Sequence, residues 1–123
     1  MPQGSMVKQF TDLDVWQKAF RVSLDVHRAS LTFPKHEQYA MADQVRRASK
    51  SICANVAEGF SKQSASKAEF KRFIQIAMGS GNEMIVWLKY CRELGYIDSH
   101  IANDWEEEYG AICRMLNALY CKS

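Results

Sequence analysis

The chain has 123 residues, 47% of them apolar and 24% charged, with a formal net charge of +2. That length suffices for one hydrophobic core, and two prolines with six glycines leave few of the breaks that many short strands require. A charge so near zero neither demands nor excludes a nucleic-acid partner, so its distribution along the chain has to decide.

The cysteines, Cys53, Cys91, Cys113 and Cys121, form no C-x-x-C pair and have no histidine at zinc-ligand spacing. No secretory leader pattern is present, and no apolar stretch approaches the ~18 residues that span a bilayer. The expectation is a cytoplasmic chain with reduced thiols, no cofactor and no membrane association. Cys53, Cys91 and Cys113 read as small core residues and Cys121 as an exposed thiol. The opening Met1-Pro2-Gln3-Gly4-Ser5-Met6 is polar and reads as a flexible segment or an expression scar, which leaves residues 7–123 as one domain.

The first helical run is expected from about Asp12 to Leu31, with Leu13, Trp16, Phe20, Ser23/Leu24, His27 and Leu31 on one stripe. Thr11 or Asp12 is placed to cap it, and Phe33-Pro34 ends it. A second run extends from about Glu37 to Phe60 on Met41/Ala42, Val45, Ala48/Ser49, Ile52, Val56 and Phe60, with Gly59 near its C-terminal cap. Its many small residues suit a close helix neighbour. The polar turn Ser61–Ser66 leads into a capping box, Ser66-x-x-Glu69.

The third run, about Lys67 to Leu94, carries Phe70, Phe73/Ile74, Ala77, Ser80/Gly81, Met84, Trp87/Leu88, Cys91 and Leu94. Gly79-Ser80-Gly81 interrupts it, and a helix-interior glycine costs ~1 kcal/mol against alanine. Close helix contact or a bend would account for that. Gly95 stops the run, Asp98 or Ser99 caps the next, and the last run goes from about Ser99 to Tyr120 on Ile101, Trp105, Glu108/Tyr109, Ile112, Met115/Leu116 and Leu119. Short connections between long amphipathic runs predict an all-α, antiparallel, up-down-up-down four-helix bundle with Trp16, Trp87 and Trp105 as packing residues.

Several residues form a familiar combination: Phe10-x-x-Leu13-x-Val15-Trp16-Gln17-x-Ala19, Phe33-Pro34-x-x-Glu37-x-Tyr39, Gln44-x-Arg46-Arg47-Ala48-x-x-Ser51-Ile52, Asn55-Val56-Ala57-Glu58-Gly59, Phe73-x-x-Ile76-Ala77-x-Gly79-Ser80 with Glu83, and Leu94-Gly95-Tyr96-Ile97. From Phe10 onward the chain resembles the four-helix-bundle proteins encoded in intervening sequences of bacterial 23S rRNA genes. The resemblance implies a homo-oligomer, a ring of five subunits, with no established enzymatic activity. It also implies a relation to the accessory protein of diversity-generating retroelements, a basic pentamer that works with a reverse transcriptase and nucleic acid. This chain departs from that protein in being nearly neutral.

Charge is segregated along the sequence. Between Arg46 and Arg72, the cations Arg46, Arg47, Lys50, Lys62, Lys67, Lys71 and Arg72 stand against Glu58 and Glu69, giving +5. From Asp98 onward, five acids stand against Arg114 and Lys122, giving −3. The basic residues are candidate contacts to RNA or DNA phosphates, although Arg46 and Lys62 lie roughly 24 Å apart on a continuous helix and so form two clusters. In a ring the acidic Glu106, Glu107 and Glu108 are candidate contacts to the basic face of a neighbour.

Asn55, Glu58 and Gly59 read as a polar network that fixes the loop after the second run, and Glu83 as the partner of Arg46 or Arg47. A di-metal carboxylate core needs Glu-x-x-His on two helices, and none of His27, His36 and His100 has a glutamate three residues before it. The leading expectation is a non-enzymatic homo-oligomeric scaffold or adaptor, with nucleic acid or a nucleic-acid-processing protein as its partner. Its rivals are an interaction ring without nucleic acid and a small-molecule or metal site in the bundle core.

Overall fold

Helices approach closest where their facing side chains are smallest, and this rule sets the arrangement of the chain. The computed structural model describes residues 7–123; the segment expected to be flexible, residues 1–6, lies outside the described residues. Four helices follow in order: α1 Asp14–Ser30, α2 Met41–Lys62, α3 Lys67–Glu93 and α4 Ser99–Lys122. Contacts between neighbours run in opposite chain directions. Gly59 of α2 lies against Phe70 and Phe73 of α3, while Ser51, earlier in α2, bonds Ser80, later in α3. Likewise Lys71 of α3 sits over Tyr120 of α4, and Arg92 meets Glu106. The bundle is therefore antiparallel, with α3 packed extensively on both α2 and α4 and α1 contacting α4 least.

The third and fourth helices begin where the sequence places them. Ser66 accepts from the Glu69 N–H at 3.1 Å, and Asp98 accepts from the His100 and Ile101 N–H groups at 2.9 and 3.4 Å. The reciprocal arm of the capping box is absent, because the Glu69 carboxylate pairs with Arg72 at 3.1 Å. Gly95 ends the α3 segment at φ +75, a conformation that glycine adopts without strain.

The first two helices begin later than expected. Asp12 closes a short 3-10 turn, Phe10–Asp12, by accepting from the Lys8 and Gln9 N–H groups, and α1 starts after Leu13 without a side-chain cap. Lys35–Glu37 forms a second such turn, and α2 starts only at Met41. Glu37 precedes the helix as an anchored anion, accepting from the Met41 N–H at 3.3 Å and from the Tyr96 hydroxyl at 2.6 Å.

Most of the core stripes of α2 and α3 are as read from periodicity: Val45, Ile52 and Val56 on α2, and Ile74, Met84 and Leu88 on α3, are fully buried, whereas Leu94, expected on the α3 stripe, and Ile101, expected on the α4 stripe, are 52% and 42% exposed. On α1 the buried stripe is Val15, Ala19, Val22 and Val26. Of the expected stripe Leu13 and Ser23 are buried, but the rest lies about one residue, roughly 100°, around the helix, and leaves Phe20, Leu24 and Leu31 exposed at 42%, 38% and 60%. The tryptophans Trp16, Trp87 and Trp105 stand partly buried at the rim of the core, outside its interior.

Two glycines account for the close contacts on α3. A Cβ on Gly59 would meet the Phe73 Cβ at 3.0 Å and the Phe70 carbonyl oxygen at 3.3 Å, so Gly59 belongs to the α2–α3 contact and not to a cap. A Cβ on Gly81 would meet the Cys113 Sγ at 2.6 Å, at the α3–α4 contact. α3 runs unbroken through both Gly79 and Gly81. Among the described residues no helix is long and apolar enough to cross a membrane.

Gly59→Ala is expected to destabilise the fold by about 1–3 kcal/mol, because its neighbours are a Cβ and a main-chain oxygen that cannot rotate away. Gly81→Ala is expected to cost less in a Cys113→Ala background than alone, since truncating that side chain removes the clashing sulfur. Urea denaturation of the three variants checks both statements.

Candidate functional site

Most of the residues singled out for their charge are held inside the chain. Arg46 donates to the Ser30 hydroxyl at 2.8 Å and to the Gln38 carbonyl oxygen at 2.9 Å, which ties α2 to the end of α1 and the turn after it. Arg47 pairs with Asp43 at 3.5 Å, Lys62 with Glu58 at 3.7 Å and Arg72 with Glu69. The Lys71 ammonium lies 4.7 Å over the Tyr120 ring, and Lys50 donates to the His27 Nδ1 at 2.9 Å. Of the seven candidates only Lys67, exposed at the start of α3, has no partner among the described residues. Arg47, Lys62 and Arg72 stay exposed in these pairs, at 79%, 45% and 54%.

The acidic group is similarly engaged. Glu106 accepts from Lys89 at 2.8 Å and from Arg92, which clamps α3 to α4. Glu108 pairs with Lys18 at 3.1 Å, which joins α4 to α1. Glu107 alone of the three is fully exposed. Asn55 donates to the Ser51 carbonyl and hydroxyl oxygens, and Ser80 donates to the same hydroxyl at 2.9 Å. This network joins α2 to α3 at mid-helix; it does not hold the loop after α2, as the sequence had suggested. Glu83 forms no bridge to Arg46 or Arg47, because it projects outward from α3 and accepts from the Trp87 indole N–H at 3.3 Å.

With the polar candidates accounted for, a concave surface among the described residues is apolar. An open groove of about 530 Å³ runs between α1 and α2. Phe10, Trp16, Phe20 and Leu24 form one wall, and Cys53 and Ala57 line the other. Trp16 stacks on Phe20 at 4.9 Å and meets the edge of Phe10 at 5.3 Å. Its indole N–H donates to the Cys53 carbonyl at 3.3 Å, so the one polar atom of that wall is already satisfied. Lys50 and His27 close one end. The charge of Lys50, together with partial burial and the charges of Arg46 and Arg28, holds the His27 imidazole below its ordinary 6.5. His27 is then neutral at pH 7, and Lys50 is the single charge of the groove.

No nucleophile is prepared here. Burial pushes the Cys53 thiol up to about 11, and burial with the nearby Glu37 charge does the same at Cys91. Among the described residues no cluster of three or more His, Cys, Asp or Glu side chains is placed to hold a metal ion.

A second uncovered apolar surface lies along α3, where Ile76, Val86, Tyr90 and Leu94 are 41–54% exposed around Glu83. Gly79 sits on the same face with nothing within 4 Å of the position its Cβ would take.

A groove without catalytic groups on a four-helix bundle narrows the family more than the activity. The sequence profile of the 23S rRNA-intervening sequence protein family matches residues 11–118. The chain belongs to that family. Among solved structures, this 23S rRNA-intervening sequence protein is similar to a protein of unknown function from the S23 ribosomal protein family of Bacteroides thetaiotaomicron, at 22% identity and a TM-score of 0.76 over 86% of this chain and 94% of that one. That likeness concerns the fold. No curated protein matches the chain.

The end of the bundle nearest Lys50 is closed by Glu37, whose hydrogen bonds from Tyr96 and from the Met41 N–H hold its carboxyl below the ordinary 4.5. A depressed folded value means that this contribution is fully present above the unfolded value and is lost as pH falls through the lowered folded value. Tyr96→Phe is expected to raise the Glu37 carboxyl part of the way back toward 4.5, leaving the Met41 contribution, and to make acid unfolding less steep below that pH. A carboxyl NMR titration with acid denaturation of the two proteins checks it.

Proposed function

We propose that the chain is a non-enzymatic scaffold that assembles with copies of itself and presents the assembled surface to a macromolecular partner. The observation that carries this reading is the groove between α1 and α2, a large apolar concavity with aromatic walls and no reactive group. Uncovered apolar patches of this kind on a small domain mark association sites. Two further features support it: the second bare stripe on α3, and membership in the 23S rRNA-intervening sequence protein family. The ring of five that the family resemblance implies is one closed form such an assembly can take.

Self-association has stronger support than phosphate binding. Six of the seven basic candidates already meet a partner within the chain, and only ion pairs that give way easily in water leave a role for RNA or DNA. A nucleic acid or a nucleic-acid-processing protein remains the partner class proposed for the assembled surface. Because the apolar groove supplies the association, the assembly is expected to persist at high salt.

Light scattering on the purified chain at micromolar concentration is expected to give a mass several times the 14.1 kDa of one copy, both at low ionic strength and at about 1 M salt, where charge–charge attraction is screened within about 3 Å. A mass of one copy throughout a dilution series overturns the scaffold reading.

A further inference from the structure

The two uncovered apolar faces lie on different helices: the groove lies between α1 and α2, where Trp16 donates to the Cys53 carbonyl, and the ridge lies on the exposed face of α3, the helix that packs on α2 through Ser80 and Ser51. One copy therefore offers two different surfaces, and among the described residues neither is covered.

The faces are matched in shape. The groove is lined by large side chains on α1, Trp16, Phe20 and Leu24, and by small ones on α2, Ala54 and Ala57. The α3 stripe is a helix ridge of Ile76, Val86, Tyr90 and Leu94, with Gly79 as a flat spot in it. A glycine inside a helix costs ~1 kcal/mol against alanine. At Gly81 that cost has an internal reason in the Cys113 contact, whereas a Cβ at Gly79 would meet nothing within 4 Å. Among the described residues nothing approaches Gly79, so that position is open to a neighbouring molecule.

The faces are also matched in charge. Lys50 is the one cation of the groove and has no carboxylate within 4 Å among the described residues. Glu83 is the carboxylate of the ridge that has no cation within 4 Å among the described residues; its contact is the neutral Trp87 indole, whereas Glu93, farther along α3, pairs with Arg92 at 3.2 Å. Pairing like faces would bring Lys50 toward Lys50 or Glu83 toward Glu83, while pairing unlike faces brings opposite charges together.

We propose that the α3 ridge of a second copy seats in the α1–α2 groove, with Glu83 of one copy set against Lys50 of the next and Gly79 beneath the aromatic wall. The inference rests on the self-association reading and specifies its geometry. The contact is heterologous: each copy uses its groove toward one neighbour and its ridge toward another, so the assembly propagates and closes into a ring when the rotation per copy permits. Apolar burial supplies the affinity, and the Lys50–Glu83 pair selects the mating face and its register.

The test uses the full chain and four variants, Lys50→Glu, Glu83→Lys, the double variant, and Gly79→Leu, with circular dichroism to confirm the helices and light scattering across a dilution series to measure assembly. All three positions are exposed, and a side chain at Gly79 has open space within one copy. Each single charge reversal is expected to weaken association about tenfold or more, and the double variant to regain most of it. Gly79→Leu is expected to weaken association while leaving the fold as stable as before or more so. Single reversals that assemble like the parent, a double variant no better than the singles, or an unaffected Gly79→Leu would each overturn the face assignment while leaving self-association standing. A parent chain that stays at 14.1 kDa removes the self-association reading itself.

Discussion

The structure depends on how closely its helices approach. α3 is held against α2 at Gly59 and against α4 at Gly81, and at neither point is there room for a methyl group without displacement of a neighbour. With α3 fixed on both sides, its buried residues Ile74, Met84 and Leu88 define the core to which the other helices conform. α1 joins with its own narrow stripe, Val15, Ala19, Val22 and Val26, because a wide stripe would hold it off. The bulk of its apolar mass then has to face outward. A core this tight leaves Trp16, Phe20 and Leu24 at the edge as a direct consequence, and each large side chain left half covered forgoes roughly 1 kcal/mol of burial.

Charge is arranged on the same plan. Ion pairs at Lys18–Glu108 and at Lys89, Arg92 and Glu106 link α4 to its two neighbours. The Arg46 guanidinium gathers Ser30 and Gln38 where α1 turns into α2. Of the two segregated segments, these contacts engage Arg46, Glu106 and Glu108, while Arg47, Lys62 and Arg72 pair within their own helices. Lys50, whose partner is the neutral His27 imidazole, has no carboxylate beside it, and that lets a single cation in an apolar groove act as a discriminating feature.

The fold was legible from the sequence because its signals are local. Helical periodicity, the Ser66 and Asp98 caps and the Gly95 stop all act within a few residues, and the structure places them as read. The α2 and α3 stripes were legible because their buried residues recur at helical spacing, although α3 also carries a second apolar face, Ile76, Val86, Tyr90 and Leu94, that stays exposed. α1 has two adjacent apolar stripes, and hydrophobicity alone favours the one with the larger side chains. Only the packing distance, a property of the partner helix, selects the smaller. The same gap hid the start of α2: Glu37 is anchored by Tyr96, fifty-nine residues away, and no local pattern announces that bond. The candidate site suffered most. Its aromatic wall was visible as a stripe but was assigned to the core, while of the charged residues that drew attention Arg46, Lys50, Lys71, Glu106 and Glu108 contact a neighbouring helix and Arg47, Lys62 and Arg72 pair within their own.

These displaced residues give the groove its character. An apolar surface made by default would be an aggregation hazard, since any hydrophobic object covers it equally well. The groove instead ends in a fixed positive charge held beside a neutral imidazole, and the ridge on α3 carries a lone carboxylate amid exposed Ile76, Val86 and Tyr90. Burying either charge against an apolar partner without its counterion is unfavourable, so each face penalises most covers and tolerates the one that brings the opposite sign. Tight internal packing thus supplies the exposed area, and two unpaired charges restrict what can occupy it.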